Sequence, residues 1–158
     1  MVIHPDEHES FMMKRMFIPL LPALATIALA GCTATAERTA GDEPLVNTYW
    51  KLTDLEGAAV EAVDNQREAH IVLHTEENRV AGSGGCNRLM GSYRLDGDAL
   101  SFGQLATTMM ACADGMQTEH AFLEVLEKVS AWEVTGSNLT LKDGTGDDVA
   151  RFEAVHLY

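Results

Sequence analysis

Cys32, Cys86 and Cys112 are the side chains of this sequence most able to form or exchange covalent bonds. None sits in a Cys-x-x-Cys pair at a helix start, so thiol–disulfide catalysis is disfavoured. Cys86 lies in the stretch Gly82 to Tyr93, Gly-Ser-Gly-Gly-Cys-Asn-Arg-Leu-Met-Gly-Ser-Tyr. Four glycines within ten residues (Gly82, Gly84, Gly85, Gly91) are too many for a regular strand or helix. They predict a strand, a sharp irregular crossing with Cys86 pointing inward, and a second strand. Asn87 and Arg88 beside the glycines offer a small polar site. The favoured reading of Asn87 is that its side chain satisfies backbone groups of the crossing.

Other chemistry-bearing groups are weaker. His70 and His74 are four apart, but the β-branched run between them reads as a strand, where such residues stand about 13 Å apart, too far to chelate. Asp143-Gly144-Thr145-Gly146-Asp147-Asp148 resembles a calcium loop, yet the twelfth position holds Ala154 instead of Glu, and a solvated hairpin turn is expected. Ser83 and Ser101 have no accompanying His and Asp pattern for a triad. No Gly-rich phosphate loop with Lys is present. No metal and no cofactor is implied, and no enzymatic activity is expected.

The N-terminal region carries an address. Lys14-Arg15 precedes the apolar run Met16 to Ala30, which is short and broken by proline, and then Gly31-Cys32. This reads as a secretory signal and not as a membrane span. Leu29-Ala30-Gly31-Cys32 followed by a polar Thr/Ala/Glu segment resembles the lipobox of bacterial lipoproteins. The resemblance implies that Cys32 is acylated, becomes the mature N-terminus and anchors the protein to a membrane, with several acyl chains making a stable anchor. Thr33, where an Asp would signal inner-membrane retention, points to the outer membrane facing the periplasm. Asp6, Glu7 and Glu9 are out of place in a basic signal n-region, so translation is expected to start at Met12 or Met13. With Cys32 lipidated and the compartment oxidising, two thiols are left over, Cys86 and Cys112. A disulfide is expected, closing a loop of about 25 residues and adding about 3 kcal/mol; two neighbouring buried free thiols are the alternative.

Of 158 residues, 24 are acidic and 11 basic, a net charge of −13. Removing residues 1–31 takes away three acids and two bases and leaves 127 residues with 21 acids and 9 bases, net −12. That excludes nucleic acid as a natural partner and argues against lying flat on anionic lipid.

The elements that must position these groups follow from the patterning. Residues 1–31 are extension and signal, and 32–44 a lipidated cysteine with a flexible polar tether. The domain takes up 45–158. Period-two alternation predicts strands over 47–55, 69–75, 79–82, 91–95, 99–102, 131–135, 139–142 and 149–155, with Asp96-Gly97-Asp98 a hairpin signal. Residues 58–68 read as loop and 103–113 as irregular. One helix is predicted over 114–130, capped by Asp114 with Gln117 three residues on, and with Ala121, Phe122, Val125, Leu126 and Val129 on its apolar face while Glu119, Glu124, Glu127 and Lys128 fall mostly elsewhere. The class is mainly β (α+β), about eight short strands and one helix.

Assembled, these pieces resemble the META domain, or HslJ-like, family. The shared motifs are Trp50 and Leu52; Gly85, Cys86, Asn87, Gly91 and Tyr93; Thr108, Met110, Ala111 and Cys112; and Glu119, Phe122 and Leu126. They span about 110 residues. Met109 departs from the pattern, standing where the family usually has Arg. The resemblance implies a small antiparallel β-barrel-like sheet with one packed helix, in an envelope protein without established catalytic activity. Bacterial members are associated with heat response and novobiocin resistance, and the similarity of the barrel to secretin-pilot lipoproteins implies a binding or chaperone-like role toward envelope proteins. Trp50, Tyr93, Phe102, Phe122 and Trp132 are expected to fill such a barrel; the alternative is that they line a cavity for a small apolar ligand.

Overall fold

The computed structural model describes residues 41–156. The signal segment, Cys32 and most of the tether lie outside the described residues. The strands are β1 (Tyr49–Leu55), β2 (Ala58–Ala59), β3 (His70–His74), β4 (Arg79–Ser83), β5 (Arg88–Asp96), β6 (Ala99–Thr107), β7 (Val129–Thr135), β8 (Asn138–Asp143) and β9 (Asp148–Val155), with helix α1 (Met116–Lys128) between β6 and β7. All pairings are antiparallel and form one sheet in the order β2-β1-β3-β4-β5-β6-β7-β8-β9. Pairing of β1 with β9, from Tyr49↔Val155 to Leu55↔Ala150, closes the sheet into a ring, with two-residue β2 as an appendage on β1.

Alternation dictates which side chains enter the ring. In β1 the buried positions are Trp50, Leu52 and Leu55; in β3, Ile71 and Leu73; in β8, Leu139 and Leu141. Phe122, Val125 and Leu126 of α1 join the same core, with the Phe122 and Phe152 ring centroids 6.0 Å apart. Each large apolar side chain so buried contributes about 1.5–3 kcal/mol. Trp50 and Phe122 are fully enclosed, Tyr93 is buried, and Phe102 and Trp132 pack partly buried against this core. The five aromatics therefore pack among the ring's own side chains, as the filling reading requires. Where a buried ring has a polar handle it is paired: Trp50 Nε1 donates to the Leu45 carbonyl at 2.9 Å and the Tyr93 hydroxyl to the His74 carbonyl at 3.1 Å.

Several boundaries differ from those the sequence suggests. Asp42 and Glu43, read as tether, are tied to the β7–β8 turn: the Gly136 N–H donates to Asp42 Oδ1 at 2.7 Å and the Glu43 N–H to the Gly136 carbonyl at 2.9 Å. Asn47, read as the start of a strand, has φ +61 and its side chain bridges to Thr75, so β1 begins at Tyr49. β6 runs on to Thr107 because β5 begins at Arg88 and supplies partners as far as Leu89↔Thr107. The helix starts at Met116, not at residue 114. Its N-cap is Gly115 with φ +82, without a side-chain cap, so the Asp114 capping box does not form. The Asp114 carbonyl is held instead by Gln66 Nε2 at 2.9 Å.

Candidate functional site

The glycine stretch is a hairpin loop. Ser83 pairs with Arg88, and Gly84 to Asn87 make the turn, closed by the Gly84 N–H on the Asn87 carbonyl at 3.0 Å. Gly85 holds φ +114, a region suited to glycine. Ser83 Oγ donates to the Asn87 carbonyl and accepts from the Gly85 N–H, both at 3.1 Å. The expected crossing is thus a tight connection between neighbouring strands, with Cys86 buried as expected.

Glycine serves here for close approach as well. A Cβ on Gly84 would stand 2.4 Å from Glu119 Cγ, and one on Gly82 would stand 2.1 Å from the His70 carbonyl oxygen across the β3–β4 pair. Gly91 lets β6 bulge past it, with Leu105 Cδ2 2.9 Å and the Gly103 carbonyl oxygen 3.1 Å from where its Cβ would be.

Asn87 is the hub. Its backbone N–H donates to Glu119 Oε2 at 2.6 Å and its Nδ2 to Glu119 Oε1 at 2.9 Å and to the Met110 carbonyl at 3.2 Å. Its Oδ1 accepts from Thr108 Oγ1 at 2.8 Å and from the Met110 N–H at 2.7 Å. Two side-chain donors and two acceptor sites are all used. Thr108 Oγ1 also accepts from the Arg88 N–H at 3.1 Å. The Cys86–Cys112 disulfide, Cα–Cα 6.0 Å, pins the same hairpin loop to the same pre-helix strap. Loop, strap and helix are therefore locked by one covalent bond and a fully satisfied polar network.

Glu119 is the residue that sequence reasoning misplaced. The helical pattern groups it with Glu124, Glu127 and Lys128, mostly off the apolar face, but it is 2% exposed on the buried face with Phe122 and Leu126. The signal was present: Glu119 stands three and seven residues before Phe122 and Leu126, on their stripe. No cation pairs with it among the described residues. The backbone and side-chain N–H groups of Asn87 take up its two carboxyl oxygens, at 2.6 and 2.9 Å.

The remaining candidates lie apart from this hub. His70 stacks on Tyr49, ring centroids 4.3 Å apart, with its Nδ1 2.9 Å from the Glu68 carbonyl oxygen. Burial holds its pKa below the ordinary imidazole value. The Tyr49 hydroxyl donates to Glu68 Oε1 at 3.1 Å, and burial, then the Glu68 charge, push its pKa up. His74 stands at the far end of β3. Among the described residues no three His, Cys, Asp or Glu groups converge on a metal position. Asp143 folds its own turn, accepting from the N–H and hydroxyl of Thr145 at 2.8 and 2.7 Å and from the Asp147 N–H at 3.1 Å. Asp148 is bound by Lys142 and Arg151, which hold its carboxyl below the usual range. Ser101 lies exposed on β6 and Ser83 is spent on the hairpin loop. No helix among the described residues is long and apolar enough to cross a membrane.

Three solved structures share this architecture. A protein from Burkholderia xenovorans, solved by NMR, is 31% identical, with TM-score 0.58 over 72% of this chain and 85% of its own. A second NMR structure is 24% identical, with TM-score 0.55 over 69% and 90% of the two chains. A crystal structure of a DUF4847 family protein from Bacteroides vulgatus is 12% identical, with TM-score 0.50 over 69% and 93%, a likeness of fold alone. No curated protein matches the chain. The META domain model matches residues 43–156, the whole of the ring and its helix, and with it the chain belongs to the META domain family.

Proposed function

We propose that this is a lipid-anchored envelope protein that acts by binding other envelope components, in a chaperone-like or stress-tolerance role, and not by catalysis. The observation that carries the reading is the signal, lipobox and acylatable Cys32 joined to a domain whose convergent polar groups are already spent on one another. A catalytic acid or base needs a free position toward a substrate, whereas Asn87, Thr108 and Glu119 are engaged in holding the hairpin loop. Carriage of a small apolar ligand inside the ring draws no support, because the interior is occupied by Trp50, Phe122, Phe152 and their neighbours, and the hollows around Tyr49 and Val155 and around Val60 and Ala121 open to the surface.

The test is expression of the full chain and of Cys32→Ala in a bacterial host. Mass spectrometry of the mature N-terminus, membrane fractionation and crosslinking in intact cells are then compared. The reading requires an acylated Cys32, membrane association that the substitution abolishes, and specific crosslinked envelope proteins. An unmodified Cys32 on a soluble chain overturns the anchoring. Turnover of a substrate, lost on changing one polar residue, overturns the non-catalytic role.

A further inference from the structure

The outer face of β3–β6 carries a surface unlike the rest of the molecule. Register places Val72, Ala81, Met90 and Ala106 side by side across the four strands, an apolar row on the outside of the ring. Met90 is 51% exposed. Two residues along the strands in one direction stand His70 and Arg88, with fully buried Ser83 between them; two residues in the other runs the row His74, Arg79, Ser92 and Gly103, with Arg94 opposite Ser101 beyond it. None of these positions holds Asp or Glu, in a chain of net charge −13. Arg79, Arg88 and Arg94 are exposed and form no ion pair among the described residues. The opposite side of the ring differs: Glu133, Asp148 and Glu153 crowd the outer face of β7–β9, and the cations there, Lys142 and Arg151, are bound to carboxylates. The strap that follows β6 adds two exposed methionines, Met109 and Met110, 100% and 57% exposed, with the Met110 backbone held by Asn87.

We infer that this face is the docking surface for an acidic amphipathic helix of a protein partner, its apolar stripe lying along Val72–Ala81–Met90–Ala106 and its flanking carboxylates meeting Arg88 on one side and Arg79 on the other. The inference rests on the binding role proposed above. The dimensions fit. Arg88 and Arg79 stand on rows four residues apart along the strands, about 13 Å, and an α-helix with its side chains is about 10–12 Å across. Three inter-strand spacings of about 4.8 Å give a row of about 14 Å, the length of about ten helical residues. Along the apolar row an added strand is not an option at Ala81 and Met90, which are paired on both sides and offer only side chains; the open edge of β6, which meets β7 at Ala99↔Ala131, lies at the end of the row. An anionic bilayer fits worse than a peptide, since it would face the negative field of the whole domain and not this face alone.

The test uses the purified full chain and a fluorescent synthetic helix of about 14 residues, Leu and Ala on one face and Glu on both flanks. Binding by anisotropy is expected to weaken about tenfold in the triple variant R79E/R88E/R94E, the scale of three exposed ion pairs, and to weaken with added salt. A second variant, Met90→Ser, is expected to weaken it without altering the salt dependence. Circular dichroism and thermal unfolding check that both variants stay folded. Absence of binding, binding indifferent to the triple variant, or arginine-dependent binding of phosphatidylglycerol vesicles in place of the peptide overturns the inference. In cells, a photo-crosslinker at Met90 is compared with one at Thr140 on the opposite face. Capture of an acidic-helix partner through Met90 supports the surface. Capture only through Thr140 overturns it while leaving the binding role standing, and capture through neither overturns both.

Discussion

Glu119→Gln is the substitution that separates a buried structural carboxylate from an incidental one. The carboxylate accepts from two N–H groups of one residue, Asn87 N at 2.6 Å and Asn87 Nδ2 at 2.9 Å. Both residues are 2% exposed, so water cannot replace a lost acceptor. A glutamine has one carbonyl oxygen and one amide. It can satisfy one Asn87 donor, but it turns a second N–H toward the other. One unpaired buried donor costs about 1–3 kcal/mol. Glu119→Ala removes both acceptors and leaves a gap beside Gly84, so its loss is expected to reach about 3–5 kcal/mol. The assay is urea unfolding followed by tryptophan fluorescence, to which fully buried Trp50 and partly buried Trp132 both contribute, with m-values checked for constancy. The expected order is wild type above Gln above Ala. Retention of wild-type stability by Glu119→Gln, within about 0.5 kcal/mol, would refute the claim that the Asn87 donors depend on this carboxylate.

Three further outcomes are expected. Replacing Cys86 and Cys112 by Ser frees a segment of sequence separation 26, which on the loop-entropy account costs about 3.5 kcal/mol; unfolding of the wild type with and without reductant should show the same difference. Gly82→Ala puts a methyl group against the backbone oxygen of His70, which cannot swing aside as a side chain could, and is expected to cost more than about 3 kcal/mol or prevent folding; thermal unfolding checks it. Acid should destabilise the fold through two groups. His70, held by burial below its ordinary pKa, contributes stability that is present above pH 6.5 and lost as pH falls toward its folded-state pKa. Asp148, lowered by Lys142 and Arg151, contributes stability present above pH 3.8 and lost as pH falls through its folded-state pKa. NMR titration should find the His70 imidazole protonating below 6.5, and His70→Phe and Asp148→Asn should each flatten stability against pH in their own window.

Strands were legible where one face is buried and the other wet, because burial enforces alternation: Trp50 and Leu52, Ile71 and Leu73, Leu139 and Leu141 all announce themselves. Reading failed where partners distant in sequence decide the local state. Thr107 is strand only because Leu89 lies opposite, and Asn47 turns because Thr75 receives its side chain. Asp114 and Gln117 spell a capping box, yet Gly115 takes the cap position, and Gln66 binds the Asp114 carbonyl. The hub was half legible. Asn87 has the amide that a sharp loop needs, but its chief acceptor lies 32 residues on, in a helix. An acid on an apolar stripe is a conflict between charge and burial, and such a conflict persists in a fold only when a specific donor set resolves it. Glu119 amid Phe122 and Leu126 is that conflict, and Asn87, held in place by the disulfide beside it, supplies the donors. The glycines then follow from the acid: Gly84 must lack a Cβ because the Glu119 side chain occupies its place. The motif Gly-Gly-Cys-Asn and the helix glutamate are therefore one structural unit divided between two segments. A change in either half should be felt first as lost stability of the hairpin loop and strap, and only through them at the neighbouring surface around Met90.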